Sequence, residues 1–158
     1  FNRLSTLFQT SAVILGTGDP KLEESALKLQ ALHPERIKVI TRYDAGLARQ
    51  IYAGSDLFIM PSRYEPCGLS QMIAMRYGCV PVVRAVGGLN DTVKHGDAGF
   101  VFKTATPRAL AIAIRSALKL YPDRSIWEKF QEAGMQKDFS WENSARRYLE
   151  LYQSVIKQ

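Results

Sequence analysis

The chain has only two cysteines and two histidines. Cys67 and Cys79 are too few and too widely spaced for a zinc site or a disulfide framework, which argues for a reducing, cytoplasmic-type compartment. His33 and His95 each sit in a polar, turn-like context with no second ligand nearby, so both read as surface residues and no metal cofactor is expected. No apolar run approaches the roughly 20 residues that span a bilayer, and nothing reads as a signal peptide, so no membrane association is expected. Lys and Arg outnumber Asp and Glu, 21 to 15, for a formal charge of +6. These cations are scattered and not interleaved with aromatics, which argues against nucleic acid and leaves the charge a role in solubility and in steering anionic partners. Linkers, internal repeats and low-complexity blocks are also missing.

What is present is an ordinary globular composition, 46% hydrophobic and 23% charged over 158 residues, enough for one domain. A chain of this length buries on the order of two-thirds of its unfolded surface. Strands and helices alternate along it. "SAVILG" (11–16) reads as a buried strand, and "GTGDP" turns it into a helix with Asp19 as N-cap and Pro20 at the first helical position. That helix places Leu22, Ala26 and Leu29 on one face and runs to about Leu32. "RIKVIT" (36–41) is a second strand, with a loop over Arg42 to Asp44 and a helix from about Ala45 to Ala53. "DLFIM" (56–60) is a third, apolar enough to be covered on both faces. A helix after Gly68, the strand "CVPVV" (79–83), a glycine turn at Gly87 and Gly88, a short helix near "LNDTV" and the strand "GFVF" (99–102) follow.

The last third is helical. Leu110, Ile114, Ala117, Leu118 and Tyr121 form one stripe, and Ser125 with Glu128 has capping-box spacing. A final helix from about Ser140 is expected to bury Trp141, Ala145, Tyr148, Leu149, Tyr152 and Ile156. Strands alternating with helices, then helices alone, predict an α/β fold: a doubly wound parallel sheet with helices on both faces.

In such a sheet, ligands bind outside the carboxyl ends of the strands. Gly16 and Gly18 follow the first strand, Arg42 and Tyr43 the second, Glu65 to Ser70 the third, and Gly87 with Gly88 the fourth. Each alone has an ordinary explanation, since glycines make turns and a loop Tyr often covers a core. Ser70 equally suits a first-turn residue, and Glu65 a solvated carboxylate. Their shared edge is the informative point. A helix opening near Pro66 to Ser70 leaves its first N–H groups free for an anion, and Gly68 permits close approach. Glu65 would repel that anion unless something neutral and polyhydroxylated lay between them. A sugar attached to a phosphate is such a ligand.

The stretch "PSRYEPCGLSQMIAMRYGCVPVVRAVGGLNDTV" resembles the signature of bacterial glycogen synthases and plant starch synthases. "LGTGDP", "RYDAGLARQIYAGSDLFIMPSR" and "FSWENSARRYLELY" extend the resemblance over nearly the whole chain. Those enzymes are retaining glucosyltransferases of the GT-B-type fold, with an active site between two Rossmann-like domains. The resemblance makes residues 1–158 the C-terminal, Rossmann-like domain, which binds the nucleotide-sugar donor, usually ADP-glucose, with no metal. The α-1,4-glucan acceptor lies mostly on the other domain.

Residue by residue, the resemblance implies adenine near Gly16 and Gly18 with Tyr43 stacked on it. It implies a diphosphate at Cys67, Gly68, Leu69 and Ser70, and glucose hydroxyls held by Glu65 in the catalytic position. Many related transferases carry a second Glu eight positions after the first, where this chain has Ile73, and the synthase branch generally lacks it too. The family also has a first strand and a loop with an Arg and a Lys that neutralise the diphosphate. The resemblance implies that this chain begins inside the helix after that loop, without the two cations or the acceptor domain, and is inactive alone. The implied compartment is the bacterial cytoplasm, or the plastid stroma for a plant source. Two other classes stay open: a stand-alone nucleotide-binding or regulatory module, and a nicotinamide-dependent oxidoreductase. The second is disfavoured because "GTGDP" lacks the third glycine and the acidic residue expected after the second strand.

Overall fold

A computed structural model describes residues 10–156. The helix expected at the very start of the chain lies outside those residues. Five strands and seven helices follow: β1 (Ala12–Leu15), α1 (Pro20–Leu32), β2 (Ile37–Ile40), α2 (Ala45–Gly54), β3 (Leu57–Met60), α3 (Ser70–Arg76), β4 (Val80–Arg84), α4 (Gly87–Thr92), β5 (Phe100–Phe102), α5 (Pro107–Leu120), α6 (Arg124–Met135) and α7 (Trp141–Ile156). Every strand pairing is parallel, as the expected α/β class requires.

The helix starts follow from local chemistry. Asp19 accepts hydrogen bonds from the N–H groups of Lys21 and Leu22, with Pro20 opening α1. Asp44 accepts from Leu47 N at 2.9 Å, and Thr106 from Ala109 N at 3.3 Å ahead of Pro107. The capping-box expectation for α6 is corrected. Its N-cap is Asp123, whose carboxylate accepts from Ser125 N, Ser125 Oγ and Ile126 N, two residues upstream of the expected Ser125. Those bonds, the Ser125 hydroxyl first, hold the Asp123 carboxyl below its usual pKa of 3.8. Gly87 and Gly88 form the first turn of α4, not a turn ahead of it.

The main core surrounds β4, whose side chains alternate between faces. Val80 and Val82 join Phe100, Phe102, Ile114, Ala117, Trp127 and Phe130 under α5 and α6. Val83 joins Met75, Leu89, Val93 and Ala98 under α3 and α4. Pro81, in the middle strand, pairs with Phe58 of β3, while the ladder to β5 begins only at Val82. A residue without an N–H therefore sits where one side of the strand is still unpaired.

The strands form two sheets among the described residues, β1-β2 and β3-β4-β5. β1 and β3 are both edges, and they flank a cavity of about 1110 Å³ lined by Ala12, Ile14, Leu57, Ile59, Ile114 and Leu118, among others. This corrects two expectations. β3 is half-buried along its length instead of covered on both faces, and in β1 Val13 is 47% exposed. On α1, Leu22 is 70% exposed, and the half-buried residues are Glu23, Ala26, Leu29 and Gln30. α7 forms where expected but buries none of its residues, with Trp141, Tyr148, Leu149, Tyr152 and Ile156 all exposed.

Candidate functional site

The carboxyl ends of β1 and β2 are adjacent, with Leu15 opposite Ile40 and Gly16 N donating to Ile40 O at 3.1 Å. Gly16 and Gly18 are thereby brought to the same edge as Arg42 and Tyr43. Gly18 N donates to the Glu23 carboxylate at 2.7 Å, and Asp19 caps the helix beside it. The turn after β1 is therefore an acidic one in which the Gly16 and Gly18 amides already have partners, a poor place for phosphate and an open one for a base, since no other part of the chain lies within 4 Å of a β-carbon built on either glycine.

Tyr43 is 87% exposed, with its ring in no aromatic contact among the described residues. Its backbone is held from both sides. Asp44 caps α2, and Arg42 Nη2 donates to Asp44 Oδ2 at 3.0 Å. The Leu47 amide first, and then the Arg42 guanidinium, hold the Asp44 carboxyl below its usual 3.8.

The loop after β3 has the opposite character. Five of its carbonyls are taken: Ser62 O and Arg63 O accept from the Arg84 guanidinium, Glu65 O from Gly88 N, Gly68 O from Gln71 Nε2, and Leu69 O from Ile73 N. Its amides are free. The N–H groups of Glu65, Cys67, Gly68, Leu69 and Ser70 have no hydrogen-bond partner among the described residues. Gly68 holds φ at +74°, a conformation open to glycine, and a β-carbon there would strike the Gln71 amide. Ser70 is the first residue of α3, and its hydroxyl caps nothing, since the N-cap is Leu69 without a side-chain bond. Cys67 is an exposed free thiol, whereas Cys79 is 1% exposed, with its thiol pushed up to about 12 by burial first and by Asp56 second. Glu65 is half-buried, and its carboxylate has no partner among the described residues.

The structure thus brings Glu65, Cys67, Gly68, Leu69 and Ser70 together in one loop, and Gly16, Gly18 and Tyr43 at the ends of a neighbouring strand pair. No hydrogen bond joins the two groups among the described residues. The 1110 Å³ cavity is not at this edge. It lies between the flanks of β1 and β3, away from the loops at the carboxyl ends of the strands that carry the residues singled out from the sequence, so the site is placed at the loops. The residues that sequence reasoning missed are Arg84, Gln71 and Thr92. A polar Gln inside the apolar run "SQMIAM" was the one signal available for Gln71.

Comparison with known proteins decides the family. The model for glycosyl transferases group 1 matches residues 3–133. The chain belongs to this family. Within glycosyl transferases group 1 it is similar to the glycogen synthase of Deinococcus deserti, 53% identical over 146 residues, covering 92% of this chain and 32% of that protein. It is 51% identical over 148 residues to the glycogen synthase of Anaeromyxobacter sp. (strain K), covering 90% of this chain and 31% of that protein. Among solved structures, the catalytic domain of starch synthase IV from Arabidopsis thaliana, bound to ADP and acarbose, matches with a TM-score of 0.85 and 36% identity over 99% of this chain and 34% of that one. The chain thus spans about a third of the length of these relatives. The resemblance to glycogen and starch synthases stands, as does the fold class of a GT-B-type half.

Proposed function

We propose that this chain is the donor-binding domain of a glycogen or starch synthase, which as an intact enzyme transfers glucose from ADP-glucose to the non-reducing end of an α-1,4-glucan with retention. The observation that carries the reading is the loop from Glu65 to Ser70, in which the carbonyls of Glu65, Gly68 and Leu69 are occupied while the amides are free next to an unpartnered carboxylate. Free amides suit the diphosphate, and Glu65 suits glucose hydroxyls as a charged acceptor. The acidic turn at Gly16 and Gly18 and the exposed Tyr43 suit adenine, which has amino hydrogens and a stacking face.

Residues 1–158 act in this reading as a single nucleotide-sugar-binding domain, and the acceptor glucan rests mainly on a partner domain. The starch synthase relative is bound to ADP and acarbose, which supports a nucleotide and a glucan as the two kinds of ligand. The chemistry asked of this domain is positioning the donor and stabilising the departing diphosphate through preorganised N–H dipoles. No helix among the described residues is long and apolar enough to cross a membrane, and two free cysteines suit a reducing cytoplasm.

Calorimetric titration with ADP, UDP, ADP-glucose and UDP-glucose tests the reading. Binding of the ADP pair in preference to the UDP pair is expected, and absence of nucleotide binding overturns it.

A further inference from the structure

We propose that Arg84 is a positioning residue for the donor: its guanidinium sets the angle at which the 62–70 loop leaves β3, so that Glu65 and the free amides of Cys67 to Ser70 face one ligand. The inference rests on the donor-site reading of that loop.

Arg84 is the last residue of β4, one step beyond the last β3–β4 pair, Met60 with Val83. Its Nε donates to Ser62 O at 2.6 Å and its Nη2 to Arg63 O. Two successive carbonyls, released from the sheet where the ladder stops, are gripped by one planar fork. The cation has no carboxylate partner among the described residues, so its charge is spent on neutral carbonyls in the loop. A carbonyl held by a cation turns its peptide plane, and the N–H of the following residue turns with it.

The far end of the loop is tied separately. Gln71, fully buried, donates Nε2–H to Gly68 O and to Thr92 Oγ1 at 3.0 Å, and Thr92 Oγ1 donates onward to Gly88 O at 2.6 Å. Because Thr92 spends its proton on Gly88, it can only accept from Gln71, which fixes the amide's orientation. Gly88 N closes the middle by donating to Glu65 O at 3.2 Å. Among the described residues, Arg84 is the side chain that holds the loop's entry, through carbonyls three and two residues ahead of Glu65.

Lysine keeps the charge but lacks the fork, so Arg84→Lys holds at most one carbonyl well. The test compares wild type, Arg84→Lys and Arg84→Met by ADP calorimetry, by thermal melting and by amide ¹H–¹⁵N spectra of the ligand-free chain. Arg84→Lys is expected to melt close to wild type, to shift or split the signals of Tyr64 to Ser70 while leaving those of β1 and β2 in place, and to weaken ADP by about tenfold, the loss that one strong hydrogen bond represents. A lysine variant with unshifted loop signals and wild-type ADP affinity overturns the proposal. So does wild-type affinity with lysine alongside a large loss with methionine, because that pattern assigns Arg84 to direct charge neutralisation. Failure of wild type to bind ADP overturns the donor reading instead, and the loop signals then decide the Arg84 tie by themselves.

Discussion

Gly88 stands so close to the carbonyl of Cys67 that a β-carbon on residue 88 would overlap its oxygen. The amide of the same glycine donates to Glu65 O at 3.2 Å. The first turn of α4 is thus the floor on which the 65–70 loop rests, and its lack of a side chain is a condition for the loop's height above the sheet. The obstacle is backbone, which cannot swing aside as a flexible side chain does. Gly88→Ala is therefore expected to cost about 1–3 kcal/mol or more in stability, the scale of overpacking, and to weaken ADP binding along with it. Urea unfolding and an ADP titration measure both. Unchanged midpoint and affinity would mean that the loop does not rest on Gly88.

Tyr43 extends into solvent from a turn fixed by Asp44 and Arg42, so its ring is presented without support from the core. Removing it should cost binding and little stability. Base stacking on an aromatic platform contributes about 1–3 kcal/mol, so Tyr43→Ala is expected to weaken ADP by roughly tenfold or more. Equal affinities in calorimetry would move the base away from Tyr43.

Much of this arrangement was legible because its signals are local. Asp19 before Pro20, Asp44 before Ala45, and the Pro66–Gly68 mouth are short-range chemistry, and each element starts where that chemistry puts it. What failed was whatever depends on distant surroundings. The periodic stripe of α7 records an apolar face at Trp141, Tyr148 and Tyr152, but periodicity says nothing about what covers it, and the described residues leave it bare. Leu22 failed for the same reason. The Ser125–Glu128 pattern lost to Asp123 because a carboxylate two residues upstream reaches both free amides, Ser125 N and Ile126 N. In the candidate site, residue types alone single out the loop from Glu65 to Ser70, whereas the grip of Arg84 on two carbonyls some twenty positions away has no local signature.

Glu65 is expected to matter for the sugar and not for the nucleotide. Its carboxylate has no protein partner among the described residues, so its removal leaves no orphaned donor behind. In the intact enzyme, Glu65→Ala should keep ADP affinity nearly unchanged while lowering kcat by on the order of a hundredfold, because a contact realised at the reacting sugar acts on the transition state. Normal turnover would remove Glu65 from the site.

The two cysteines should differ in reactivity. Cys67 lies exposed among the free amides, while Cys79 is buried with its thiol pushed up to about 12. A raised thiol pKa means the protonated, unreactive form dominates below it, so at pH 8 the Cys79 thiolate fraction is on the order of one in ten thousand. Iodoacetamide is expected to label Cys67 and spare Cys79 in the folded chain, and ADP is expected to slow the labelling. Mass spectrometry of timed samples reads both effects. Labelling of Cys67 that ADP does not slow would separate that thiol from the diphosphate.

The open edges of β1 and β3 carry the last expectation. Among the described residues each presents unpaired backbone groups beside a cavity lined by Ala12, Ile14, Leu57 and Ile59, and such edges recruit further strands unless something blunts them. Neither strand contains a charged residue or a proline, the usual blunting devices. The 158-residue chain by itself is therefore expected to associate as its concentration rises, through strand pairing and not through the Glu65 loop. Sedimentation velocity across a hundredfold concentration range should show the shift to larger species, and Val13→Lys, which places a cation on the half-exposed β1 edge, should suppress it while leaving ADP affinity intact. A chain that stays monomeric throughout, or a lysine variant that associates as wild type does, would show that these edges are already covered.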